Sequence, residues 1–133
     1  MTAISYSNDR RISPQQLAQV FRASGINRPV EDLPRMAAML EHANVLITAW
    51  DGERLVGVAR GLSDFSYCCY LSDLAVDQAH QHAGIGRMLL ERVRTVIGEQ
   101  SMLLLLAAPS AMEYYPKVGF EAVPNGWIIK RKT

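Results

Sequence analysis

Apolar residues fall into two rhythms along this chain. Over Ala3–Ser7, Ile4 and Tyr6 alternate with Ser5 and Ser7, a period of two that predicts a short edge strand. Past Asn8-Asp9-Arg10-Arg11 the period lengthens. Ser13-Pro14 forms an N-cap and first-turn pair, Leu17, Val20 and Phe21 follow at helical spacing, and Gly25 supplies the stop. Beyond Ile26-Asn27-Arg28-Pro29-Val30 a second helix is predicted, with Asp32 as cap and Pro34 in its first turn. Leu33, Met36, Ala37 and Leu40 form its buried stripe, and it ends near Asn44.

The middle of the chain reads as a meander. Val45–Trp50 and Leu55–Leu62 flank Asp51-Gly52-Glu53-Arg54, and Asp-Gly between apolar runs signals a hairpin. Asp64 and Ser66 mark the next turn, and Tyr67–Val76 is predicted as the third strand. From Gly84 to about Gly98 the helical period returns, with Ile85, Met88, Leu89, Val93 and Val96 on one side and Arg87, Glu91, Arg92 and Arg94 on the other. Met102–Ala108 is apolar on both faces, the pattern of a central strand reached by a parallel crossover. Ser110 is expected to cap a short helix running to about Val118. Phe120–Val123 and Trp127–Lys130 are expected to pair as a closing hairpin around Pro124-Asn125-Gly126. The predicted class is α+β: a mixed, mostly antiparallel sheet with helices on both faces, in a single domain over residues 1–133.

Composition narrows the function. The 133 residues are 49% hydrophobic and 20% charged with a formal charge of +1, so no broad basic field exists to draw nucleic acid, and none is expected as a partner. Cys68 and Cys69 are adjacent, cannot staple distant segments, and as free thiols suit a cytoplasmic protein. No targeting segment is read at the start, and the apolar run Met102–Pro109 is too short to span a bilayer, so no membrane association is expected.

The most informative stretch is Leu74-Ala75-Val76 followed by Gln81-His82-Ala83-Gly84-Ile85-Gly86-Arg87. A strand breaks into a glycine turn and restarts as a helix, whose first unpaired N–H groups and partial positive charge make a seat for an anion such as a pyrophosphate. Arg87, His80 and His82 are the local charged candidates. A P-loop would need Lys-Ser/Thr after the last glycine, where Arg87-Met88 stands, and a dinucleotide fold would need a third glycine in a mainly parallel sheet.

Gln81–Gly86 resembles the Gln/Arg-x-x-Gly-x-Gly/Ala signature of the GCN5-related N-acetyltransferases. Ala111-Met112-Glu113-Tyr114-Tyr115-Pro116-Lys117-Val118-Gly119-Phe120 is similar to that family's A-x-x-F/Y-Y-x-K-x-G-F segment. Together the matches cover about residues 45 to 120. The resemblance implies a GNAT-like fold and transfer of acetyl from acetyl-CoA, a co-substrate, to a primary amine by direct sequential attack, with no metal. In that scheme Leu74, Ala75, Val76, Gln81, His82, Ala83, Gly84, Ile85, Gly86 and Arg87 bind acetyl-CoA. The strand backbone at Leu74 and Val76 meets the pantetheine arm, and the loop meets the pyrophosphate.

The resemblance further implies that Tyr115 protonates the departing thiolate, with Tyr114 its rival one residue away. The family's common glutamate position, six before Val76, is Tyr70 here, so Asp73 is the nearest carboxylate for a base, with Asp64 and Glu113 behind it. His82 and Ala83 stand where relatives often carry Gly and Lys or Arg. Arg28 and Tyr70 are the candidates for contacting the acceptor, a small-molecule or peptide amine, and Arg35, Tyr67 and Trp50 lie behind them. A homodimer is a further expectation. The alternative is a non-catalytic acyl-CoA binding or sensing module.

Overall fold

The computed structural model describes residues 3–133. Five strands form one sheet in the order β1-β2-β3-β4-β5: β1 (Ile4–Ser7), β2 (Val45–Asp51), β3 (Arg54–Ser63), β4 (Cys68–Val76) and β5 (Met102–Leu105). The first three pairings are antiparallel and β4–β5 is parallel, which is the mixed sheet expected. Helices α1 (Pro14–Ser24) and α2 (Leu33–His42) cover one face and α3 (Ile85–Ile97) the other.

Local chemistry explains these boundaries. At α1, Ser13 Oγ accepts from Gln16 N–H at 3.1 Å while Gln16 Oε1 accepts from Ser13 N–H at 2.9 Å, a reciprocal cap, and Gly25 ends the helix at φ +82°. At α2, the Asp32 carboxylate accepts from Arg35 N–H at 3.1 Å. Leu17, Val20, Phe21 and Met36 then pack on Val58 and Ala75. On the opposite face Ile85, Leu89, Val93 and Ile97 are all nearly fully buried, each contributing roughly 1.5–3 kcal/mol.

Gly57 decides how closely α3 can lie. A Cβ there would stand 3.2 Å from Ala49, Ile85 and Leu89, and Gly57 is the register partner of Val76. The start of α3 is thereby pressed against the end of β4, where the glycine loop joins them.

Three expectations fail near the C-terminus. β5 ends at Leu105 instead of Ala108 and is the sheet's edge, with Met102 and Leu106 more than half exposed, because nothing pairs along its outer side. Ser110 lies in a 3-10 turn, Pro109–Ala111, and caps nothing; α4 is only Tyr114–Lys117, preceded by Glu113 without a side-chain cap. The closing hairpin does not form. Residues 120–133 contain no strand, and Trp127 and Ile129 are 97% and 100% exposed.

The turn before β4 has its own chemistry. The Asp64 carboxylate accepts from the N–H groups of Ser66, Tyr67 and Cys68 at 2.9, 2.8 and 3.0 Å. Those bonds, the one from Cys68 strongest, hold its pKa down at about 2. A carboxylate so stabilised is a poor base, and Asp64 is an organiser of the turn. Its folded pKa lies below the unfolded value near 3.8, so its contribution is complete above pH 4 and is lost as pH falls towards 2. A carboxyl-detected NMR titration should give a midpoint near 2 for Asp64, and Asp64→Asn should remove that transition.

Candidate active site

β4 and β5 diverge, and the site forms at that split. Their pairing runs from Cys68↔Met102 to Leu71↔Leu105 and stops there, while β4 continues to Val76. On its other side β4 stays paired with β3 through Val76↔Gly57, but the register slips between Arg60 and Gly61, so that Ser72 is an extra residue with no β3 partner. The bulge bends β4 where β5 leaves it. Leu74, Ala75 and Val76 thus line the gap with one backbone edge unpaired by β5, as the resemblance implied for the pantetheine arm.

The loop after Val76 is braced from within. Asp77 N–H donates to Val56 O at 2.8 Å, its carboxylate accepts from Ala79 N–H at 2.9 Å and pairs with Arg54 at 2.9 Å, and Gln81 Nε2 donates to Val76 O at 3.0 Å. His80 turns away, its Nε2 3.2 Å from Asp51 Oδ2. His82 is held at φ +70°, a left-handed conformation costly for a side-chain-bearing residue. That is a physical reason for relatives to carry glycine there.

Gly84 sits at φ +80°, and a Cβ on it would meet no protein atom within 4 Å; the space in front of it is open. The helix it opens is uncapped. α1 and α2 have side-chain caps, whereas α3 has none, and its first long-range turn is Met88 N–H to Gly84 O. The N–H groups of Ile85, Gly86 and Arg87 are therefore free of intrahelical acceptors. Its first turn holds no acid but does hold Arg87, which opposes the helix dipole by about 0.3–1 kcal/mol unless an anion sits there. These features fit a bound pyrophosphate.

Gly86 has a different reason to be small. Its φ is not positive, but a Cβ would stand 3.0 Å from Tyr114 Oη. Tyr114 therefore belongs to the loop: its phenol leans on the first turn of α3, raised in pKa by burial and partly offset by Arg87. Tyr115 points elsewhere. It lines a groove of about 1270 Å³ together with Leu103–Leu106 of the β5 side, and its ring meets Phe120 edge-on at 5.4 Å and Tyr114 at 5.3 Å. Burial pushes the Tyr115 phenol up, Tyr114 adds to the rise, and the Arg28 guanidinium partly counters it. Arg28 is thus within electrostatic reach of Tyr115 and reaches β4 as well.

Arg28 belongs to a cluster. Its Nε donates to Asp73 Oδ1 at 2.5 Å and its Nη2 to Ser72 O at 2.8 Å. Arg60 Nε donates to the other Asp73 oxygen and Arg60 Nη2 to Ser72 Oγ at 2.9 Å. Asp73 is buried, and both its oxygens are taken by guanidinium groups. Tyr70 is partly exposed, opposite Leu104 in register, two residues before the bulge. Arg60 was missed in the sequence, although a lone charge in the apolar run Leu55–Leu62 was its signal.

Known proteins agree with this architecture. The family described as "Acetyltransferase (GNAT) domain" matches residues 8–128, and the chain belongs to that family. It is 29% identical over 111 residues to "Histone acetyltransferase TAP1" of Glycine max, covering 74% of this chain and 48% of that protein. It is 28% identical over 127 residues to "Uncharacterized N-acetyltransferase ycf52" of Porphyra purpurea, covering 90% and 71%. The chain spans about half the length of the first of these curated relatives. Protein SA2161 of meticillin-resistant Staphylococcus aureus shares the fold at TM-score 0.79 and 22% identity, covering 97% of this chain and all of that one. GNAT family protein SP0256 of Streptococcus pneumoniae does so at 0.73 and 21%, also covering 97% of this chain and all of that one.

Proposed function

We infer that this chain is an acetyl-CoA-dependent N-acetyltransferase that delivers acetyl directly to a primary amine of a small molecule or peptide. The observation that carries this reading is the uncapped start of α3 behind the open left-handed Gly84, set at the mouth of the β4–β5 split. Acetyl-CoA supplies an activated thioester when bound. Ile85, Gly86 and Arg87 N–H groups, with the Arg87 side chain, would hold its pyrophosphate, and Gln81, His82 and Ala83 shape the turn that presents them.

Leu74, Ala75 and Val76 would offer main-chain groups to the pantetheine arm on the edge that β5 vacates. Tyr115 Oη keeps its proton at neutral pH because burial raises its pKa, and holds that proton for the leaving thiolate. Asp73 positions Arg28 and Arg60 and takes no proton from the amine, since both of its oxygens are engaged. Arg28, anchored in this way, and Tyr70 stand on β4's route into the gap, where the acceptor would approach.

The test is calorimetric titration with acetyl-CoA followed by thiol release over an amine panel. Binding and acceptor-dependent release are expected. Gly84→Asn should keep the turn, because Asn tolerates left-handed backbone, while filling space that no protein atom touches. Its acetyl-CoA affinity should fall by roughly tenfold or more, about 1.4 kcal/mol, with little change in melting temperature. Unchanged affinity would remove the loop from the binding site. Binding without release over the panel would favour the acyl-CoA sensing module.

A further inference from the structure

The C-terminal arm is apolar and unsupported. Val123, Trp127, Ile128 and Ile129 are 53–100% exposed, although Trp127–Lys130 has strong strand character. Beside it lies a matching vacancy. β5 is four residues long, its outer edge carries no partner strand, and Leu103–Leu106 line the 1270 Å³ groove with Val118 and Phe120. An unpaired edge above an apolar groove is a template for strand addition.

The arm does not fill its own groove. The lining ends at Val123, and the last residue lies across the molecule, where Thr133 O accepts from Arg35 Nη2 of α2 at 3.2 Å. We propose that Trp127–Lys130 of a second copy of this chain adds as a strand along β5, and that the exchange is reciprocal, giving a two-fold dimer.

Charge fixes the direction. The groove's wall near the start of β5 carries Glu91 and Glu99, and the arm ends in Lys130-Arg131-Lys132. Running antiparallel to β5, the incoming strand brings those three cations beside Glu99 and places Trp127 near Leu105. A parallel strand would put the basic end over the apolar Leu105–Leu106 end and forfeit the pairing.

Size is sufficient as well. A fully exposed tryptophan presents roughly 200 Å². With Val123 and both isoleucines, the facing groove and the reciprocal contact, the area reaches the ~1,600 Å² of a stable interface. Lone apolar residues on a surface are ordinary, but an arm of them next to an open sheet edge is not.

Sedimentation of the intact protein should give twice the 14.8 kDa chain mass. Trp127→Ala combined with Ile129→Asp should give the monomer while keeping a cooperative melt, since neither side chain packs on its own chain. Position can be read separately in a Cys68→Ser background. Mixing Leu104→Cys protein with Ile128→Cys protein should yield a disulfide-linked species of doubled mass. A monomeric wild type at 100 μM, a dimer indifferent to the arm variant, or a disulfide only within one chain of the double-cysteine variant would each overturn strand exchange. The last outcome would mean that the arm folds back as its own hairpin. None of these readouts depends on acetyl transfer.

Discussion

Tyr115→Phe is expected to lower kcat at least about a hundredfold, a loss of ~2.7 kcal/mol in transition-state stabilisation, while leaving acetyl-CoA affinity within about twofold. The reasoning is geometric. The substitution removes one oxygen and keeps the ring, so the edge-on contacts with Phe120 and Tyr114 survive and the melting temperature should hold. Affinity should hold because the phosphate-binding donors belong to α3 and its loop, and the hydroxyl leaning on them is that of Tyr114.

The pH profile separates the two tyrosines further. Burial moves the Tyr115 phenol upward from its ordinary value near 10, so its neutral, donating form persists across the whole neutral and mildly alkaline range. Wild-type kcat should therefore show no alkaline decline from this group below about pH 10. Tyr114→Phe, by contrast, should change acetyl-CoA affinity more than kcat. An unchanged kcat for Tyr115→Phe, measured with saturating acetyl-CoA, would make Tyr115 a packing residue and return the proton to solvent.

Much of this site was legible because its parts are local. A strand, a turn containing Gly84 and a helix with four apolar residues on one side are adjacent in sequence, and the periodicities that mark them are set by backbone geometry. Ser13, Asp32 and Gly25 announced their caps for the same reason. What escaped notice was non-local. The slip that leaves Ser72 unpaired depends on β3, and strict alternation along Tyr67–Val76 contains no sign of it. Gly86 resembled a loop glycine, yet Tyr114, 28 positions later, is what requires it to be small. The closing hairpin had suitable residues and a suitable turn, but strand formation needs a partner edge, which residues 120–133 do not meet within their own chain.

Asp73 shows how an acid that looks catalytic in sequence can be structural in space. Asp73→Asn is expected to destabilise the fold by about 3–5 kcal/mol, a large share of the 5–15 kcal/mol typical of a domain. The amide keeps the size of the carboxylate but leaves Arg60, itself 6% exposed, as a buried charge with no counter-ion. Arg28 is less dependent, being 27% exposed at its side chain, and can turn partly to water. Replacing the buried pair together, Asp73→Leu with Arg60→Leu, should therefore recover most of the lost stability, because no uncompensated charge remains inside. Denaturant melts of the three proteins measure this directly. The opposite pattern, Asp73→Asn folding as firmly as wild type yet losing turnover, would identify Asp73 as the base. On the geometry seen here, turnover in Asp73→Asn should fall only as far as the loosened Arg28 disturbs the acceptor's approach, and KM for the amine should rise more than kcat falls.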